Sequence, residues 1–181
     1  EEMDQVLREK KITAVTTTPS LVKVLNLKDI PSLKTIMIGG ERLRYSDVQH
    51  IPKHITLYNL YGPTETTILA SLFKIDFETR TRMKVYPIGQ TINKLNRYIL
   101  SKDGKKMPFG MLGELVLEGP TISMGYTDKS LTNKVFDYHE SCLDKNRYFT
   151  GDSCYISKDQ LIHFIGRKDR QVKLRGYRVE L

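Results

Sequence analysis

Thr64, Glu65, Thr66 and Thr67 follow directly on the Gly62-Pro63 turn, which closes an apolar run starting at Ile55. Three hydroxyls around one carboxylate make poor core material. They suit a phosphate and its metal ion: a hydroxyl donates to a phosphate oxygen, and a carboxylate fills one ligand position on Mg²⁺ beside it. Two other groups have related chemistry. Gly39-Gly40-Glu41 offers bare backbone against which a flat ring can lie, with Tyr61 able to pack on one face of that ring. Thr16-Thr17-Thr18-Pro19 offers a run of hydroxyls. Each has a plainer reading on its own, since a double glycine is commonly a turn and threonines after a strand commonly cap the next helix.

What joins the three groups is the element before each. Apolar, β-branched runs at Ile12–Thr16, Thr35–Ile38 and Ile55–Tyr58 recur at the spacing of short βα units. Between them Thr18 reads as an N-cap with Pro19 at the first helical position, followed by Leu21, Val22, Val24 and Leu25; a weaker helix opens at Tyr45 or Ser46 and ends before Pro52. The expectation is a βαβαβ unit with parallel strands, whose carboxyl ends would share one edge of the sheet, the usual ligand edge of such folds. Beyond about residue 70 the runs shorten: 97–100, 113–117, 154–156 and 161–165, separated by turn chemistry at 102–104, 118–120 and 157–160, with a helix near 129–136. That predicts antiparallel strands closed into a small distorted β-barrel.

Composition sets bounds on the rest. The 181 residues are 39% hydrophobic and 28% charged, which suits a globular protein, and the apolar runs are too short to span a membrane. Cys142 and Cys154 stand apart without ligand-type neighbours, so neither a disulfide nor a zinc site is expected and a cytoplasmic setting is the default. The net charge of +8 is scattered except between Arg167 and Arg178, and no aromatics interleave it, so nucleic acid is not expected as a partner. The acidic start, Glu1-Glu2-Met3-Asp4, reads as the middle of a helix.

Four motifs occur in order: Tyr61–Thr67, Gly113–Pro120 with Gly125-Tyr126, Tyr148-Phe149-Thr150-Gly151-Asp152, and Gly166–Leu181. Together they resemble the adenylate-forming (AMP-binding) superfamily, and Gln171–Leu181 looks most like the adenylation domain of a nonribosomal peptide synthetase. The resemblance implies two half-reactions on Mg²⁺ and ATP. An amino-acid carboxylate attacks the α-phosphate to give aminoacyl-AMP and pyrophosphate; a phosphopantetheine thiol on a peptidyl carrier protein then takes the aminoacyl group. Carried onto this chain, it makes Thr64 and Glu65 catalytic, Thr64 on the α-phosphate and Glu65 on Mg²⁺. Asp152 would accept both ribose hydroxyls, Arg167 would add positive charge near ribose and phosphate, and Gly39, Gly40, Glu41, Asn59, Tyr61 and Phe164 would frame the nucleotide. Asp169 matches the hinge. Without the resemblance, Thr150-Gly151-Asp152 reads as a hairpin turn and Asp169 as a charged loop residue.

Positions matching the family's side-chain pocket are Thr16, Met37, Gly39, Leu60, Ile68 and Leu69, apolar with one hydroxyl; an apolar amino acid is the implied substrate, because an unpaired charge there would be costly. The implied organisation is an α/β subdomain over 1–75, a barrel-like subdomain over 76–166, and over 167–181 a hinge and the start of a truncated C-terminal subdomain. Phe149, Met124, the 157–160 turn and Phe164 depart from the usual pattern, and none is a proposed phosphate, metal or ribose residue. An upstream phosphate loop, an aspartate for the substrate amine and a late lysine are not found, so the chain by itself is expected to be inactive. Alternatives are a D-alanine–carrier protein ligase, an acyl-CoA ligase, or a non-catalytic nucleotide-binding module.

Overall fold

The computed structural model describes residues 2–92, 94–139, 141–168, 171–174 and 177–180. Its backbone divides into two units. The first comprises the chain up to Leu60 with Phe73–Tyr86 and Val172–Glu180; the second comprises Tyr61–Leu72 and Pro87–Gln171.

In the first unit α1 (Glu2–Glu9) precedes β1 (Ala14–Thr17), α2 (Pro19–Val22), β2 (Thr35–Gly39), α3 (Tyr45–Val48) and β3 (Thr56–Tyr61). β1 pairs with β2 and β2 with β3, all parallel, so the βαβαβ expectation holds. Thr18 caps α2 by accepting the Leu21 amide at 3.3 Å. The helix ends after one turn, short of the predicted Val24 and Leu25. Val22 and Leu25 are both buried, but past Val22 the chain continues only through i+3 bonds, the Val24 amide to the Leu21 carbonyl at 3.1 Å and the Leu25 amide to the Val22 carbonyl at 3.3 Å, which tighten the chain out of the α-helix. β4 (Ser71–Ile75) lies next to β3 in the sheet order, and α4 (Phe77–Arg82) follows, capped by the Asp76 carboxylate on the Thr79 amide at 2.8 Å. Ile36, Ile38 and Leu57 point into a core with Val22, Leu33, Val48 and Ile75. The alternate residues Met37, Gly39, Tyr58 and Leu60 are only half-buried, on the other face.

The second unit takes the first two residues of β4, Ser71 and Leu72, which pair antiparallel with β5 (Gln90–Thr91), so that sheet mixes both pairings. It continues with β6 (Asn96–Leu100), β7 (Gly113–Glu118), α5 (Lys129–Val135), β8 (Phe136–Asp137), β9 (Arg147–Ile156) and β10 (Ile162–Arg167). These strands form an antiparallel sheet of order β10-β9-β7-β6, with β8 alongside β9. The expected barrel is absent. Closure requires every strand to be paired on both sides; among the described residues β6 has only β7 as a strand neighbour, and β10 has β9 plus a single bridge from Ile162 to Gly89. One face is instead filled by Leu115, Leu117, Phe136, Tyr148 and Cys154. Beyond β10, β11 (Gln171–Leu174) and β12 (Tyr177–Glu180) pair with each other.

Candidate active site

The chemistry of the second unit centres on a strand irregularity. Glu114 of β7 lies opposite Ser153 of β9, yet Val116 lies opposite Phe149. Thr150, Gly151 and Asp152 therefore face the single residue Leu115, which makes them a bulge in mid-strand and not the hairpin turn that these residues suggest in isolation. Side chains restore the lost ladder bonds: Thr150 Oγ1 donates to the Leu115 carbonyl at 2.8 Å, and the Gly151 amide donates to Glu114 Oε1 at 2.9 Å. Gly151 has φ +71°, and a Cβ there would sit 2.9 Å from an Arg167 guanidinium nitrogen. The left-handed φ is what favours glycine at that position, while a Cβ would also press on the end of the Arg167 side chain.

A second bulge, on β10, finishes the arrangement. Phe164 pairs with Cys154, but Gly166 pairs with Ser153, so Ile165 is the extra residue. The shift sets Arg167 opposite Asp152, and directly opposed residues of antiparallel strands share a face. The Arg167 guanidinium donates to Asp152 Oδ1 at 3.0 Å and to the Thr150 carbonyl at 2.5 Å. The Tyr61 hydroxyl donates to Asp152 Oδ2 at 2.5 Å. Asp152 is 4% exposed, so its charge is buried with a cation on one oxygen and a phenol on the other. Burial first, then the Asp152 charge, push the Tyr61 phenol well above its ordinary range, which keeps it a donor at neutral pH. The same two causes raise the buried Cys154 thiol. Because a carboxylate oxygen has two lone pairs, this carboxylate retains acceptor capacity for a diol.

Glu65 sits four residues after Tyr61, in the 3₁₀ turn Thr64–Thr66, and is 5% exposed. The loop that carries it is tightly closed: the Ala70 amide donates to the Tyr61 carbonyl at 2.9 Å. A Cβ on Gly62 would run into the Ile68 carbonyl and lie 2.8 Å from the Ala70 nitrogen. Thr67 and Ile68 both have positive φ, 58° and 73°, a conformation that costs roughly 1–2 kcal/mol for side-chain-bearing residues. Thr67 Oγ1, donating to the Thr121 carbonyl at 2.8 Å, helps to hold it. The result exposes Thr64 and Ile68 while burying Glu65 and Thr66. The Tyr126 hydroxyl donates to the Glu65 carboxylate, and the Ser123 amide donates to the Glu65 carbonyl at 2.8 Å. Among the described residues no three His, Cys, Asp or Glu side chains gather as a metal site. A Mg²⁺ held by Glu65 would take its other ligands from phosphate and water, which is how Mg²⁺ is commonly bound.

In the first unit the parallel register puts Thr17, Gly39 and Leu60 at one edge of the sheet. Gly40 follows with φ +88°, and Glu41 accepts from the Ser20 hydroxyl at 2.5 Å while its other oxygen is buried without a hydrogen-bond partner. Asn59 is buried opposite Ile38. Thr16, Met37, Gly39 and Leu60 share the half-open face, whereas Ile68 and Leu69 belong to the second unit's loop. Within the second unit Tyr61, Asp152 and Arg167 come together, and Phe164 of β10 packs on the core and pairs with Cys154, two residues along β9 from Asp152. Asp169 lies outside the described residues. Three participants were not predicted: Tyr126, Glu114 and Thr150. Gly125-Tyr126 was visible as a motif, but nothing local says which residue its hydroxyl meets.

The description "AMP-binding enzyme" matches residues 1–127. Over 179 residues, 98% of this chain, the sequence is 34% identical to nonribosomal peptide synthetase sidE of Aspergillus fumigatus, of which it covers 8%. Among solved structures, holo-PA1221, which contains adenylation and PCP domains, superposes with a TM-score of 0.87 at 27% identity, over 98% of this chain and 32% of that one. The Vibrio cholerae adenylation domain AlmE, solved with glycyl-adenosine-5'-phosphate, gives 0.83 at 28% identity, over 99% and 36%. The chain thus spans less than a tenth of the curated relatives it matches.

Proposed function

Since this chain belongs to the AMP-binding enzyme family, whose members form adenylates, we propose that it is a section of an amino-acid-activating adenylation domain of the nonribosomal peptide synthetase type. The reaction is amino acid plus ATP to aminoacyl-AMP plus pyrophosphate, followed by transfer to the phosphopantetheine thiol of a carrier domain. The observation that carries this reading is the buried Asp152 carboxylate, held by Tyr61 and Arg167 on a bulge. Two donors fix the plane of its oxygens, as recognition of the two adjacent hydroxyls of a ribose requires.

Thr64, exposed on its turn, donates its hydroxyl to the α-phosphate. Glu65 is the protein's ligand to Mg²⁺, which when bound offsets the charge that develops on the phosphate. Arg167 steadies Asp152 and adds positive charge on the same face. Gly39, Gly40, Glu41, Asn59, Tyr61 and Phe164 border the nucleotide; Thr16, Met37, Gly39, Leu60, Ile68 and Leu69 receive an apolar side chain.

The test is pyrophosphate exchange into ATP by the natural polypeptide that contains this chain, over a panel of amino acids and fatty acids. Exchange driven by one or a few apolar amino acids and reduced about 100-fold or more in Glu65→Gln is expected. Exchange with fatty acids, or none from folded protein that binds ATP, would overturn the reading.

A further inference from the structure

The segment 123–126 meets the Glu65 turn twice, once through backbone and once through a side chain, and both contacts are themselves supported. The Ser123 amide holds the Glu65 carbonyl, while the Ser123 carbonyl accepts from the Tyr138 hydroxyl at 3.0 Å. The Tyr126 ring stands edge-on to Phe136, with centroids 5.5 Å apart, and Phe136 in turn packs against Tyr138 and Tyr148. At the other end the Tyr126 amide donates at 2.8 Å to the Oγ1 of Thr132, which is 8% exposed on α5. Gly125 makes the approach possible: its φ is +92°, and a Cβ would lie 2.5 Å from Thr132 Cγ2 and 2.8 Å from the Tyr138 oxygen. Gly125 thus lets the chain turn close to α5, and Tyr126 uses that turn to bring its hydroxyl to Glu65. Met124, just before Gly125, is 80% exposed and takes no part in the core.

From this geometry we infer that Tyr126 is a positioning residue for the Glu65 carboxylate, setting the orientation in which Glu65 meets Mg²⁺; the inference rests on the proposed role of Glu65. A glutamate has three side-chain torsions, and freezing them on metal binding costs conformational entropy. A hydroxyl donor on an aromatic frame selects one rotamer beforehand and fixes the plane of the carboxylate lone pairs. Tyr126 does not touch the reacting atoms and is not a catalytic residue. Its effect appears in how much Mg²⁺ strengthens ATP binding.

Calorimetric titration of the natural polypeptide with ATP, in Mg²⁺ and in a metal chelator, measures that effect without turnover. The quantity read is the ratio of the two dissociation constants, for the unaltered protein, Tyr126→Phe and Glu65→Gln. Tyr126→Phe keeps the ring against Phe136, so the fold is retained, and the ratio should fall roughly 10-fold or more, the equivalent of one lost hydrogen bond to a charged acceptor. Glu65→Gln should bring the ratio close to that of a protein without a carboxylate ligand. If Tyr126→Phe weakens ATP equally with and without Mg²⁺, the ratio stays constant, Tyr126 is only structural and the inference is overturned, while Glu65 keeps its role. If Glu65→Gln leaves the ratio unchanged, the Mg²⁺ reading of Glu65 fails, and the inference with it.

Discussion

Replacing Tyr61 by phenylalanine removes one oxygen atom from the middle of the second unit. The ring is 7% exposed, among Ala70, Ile88, Leu115 and Cys154, and phenylalanine fills the same space. What is lost first is the 2.5 Å bond to Asp152 Oδ2, and with it the contact of the phenol oxygen with the Thr150 hydroxyl. A hydrogen bond to a charged acceptor contributes about 1.5–3 kcal/mol, and here the acceptor cannot turn to water instead. Arg167 still neutralises the charge, which sets the loss at about 2 kcal/mol, near the middle of that range. The chain has no tryptophan and two units, so a single spectroscopic melt is a poor readout. Hydrogen exchange of the β9 amides reports the second unit directly, and their protection should fall roughly 30-fold. Asp152→Asn and the double variant complete a cycle, with an expected coupling of at least about 1 kcal/mol. Unchanged protection, or effects that add within about 0.5 kcal/mol, would refute the reasoning, since the phenol would then contribute nothing to holding the carboxylate.

Gly62→Ala forces a methyl against the Ile68 carbonyl; with backbone on both sides the loop must move, and a loss of about 3 kcal/mol, or roughly 6–12 °C in melting temperature, is expected by calorimetry. An unshifted melting temperature would mean the loop has room that the structure does not show. Alkaline titration gives a further check. Burial, foremost, pushes the Tyr86 phenol up to about 12 and Tyr61 well above its ordinary range. Because these folded-state values lie above the unfolded one, their contribution to stability is complete below about pH 10 and is lost as pH rises from there through the folded values. Phenolate absorbance should show these two tyrosines ionising last, together with unfolding, and Tyr61→Phe should remove one of them; ionisation of both near pH 10 in folded protein would contradict the burial argument.

The parallel strands were legible because their signals are local. The β-branched runs at Thr35–Ile38 and Ile55–Tyr58 and the Thr18-Pro19 cap each declare themselves within a few residues. Thr16, Met37, Gly39 and Leu60, named through the family resemblance, fall on one face of the sheet by the alternation of strand side chains. The antiparallel part was legible as strands but not as a sheet. Whether β6 finds a second neighbour depends on where β10 lies, and no run of residues encodes that. The site divides the same way. Asp152 and Glu65 were visible through motif and residue type. That Arg167 faces Asp152 depends on Ile165 being an extra residue in β10, and a one-residue slip leaves no mark in the sequence. Tyr126 meets Glu65 across 61 residues, a distance that local patterns do not bridge.

Asp152 depends on a phenol made 91 residues before it and a guanidinium made 15 residues after it. During synthesis at about 5–20 residues per second, Tyr61 waits on the order of ten seconds for its acceptor, and the acceptor waits about a second or more for its counter-ion. Until Arg167 has emerged and β10 has paired, a buried Asp152 would carry a charge with no cation beside it, so β9 gains little by docking early. The cluster is completed last: its final bond can form only on a chain that has grown as far as Arg167.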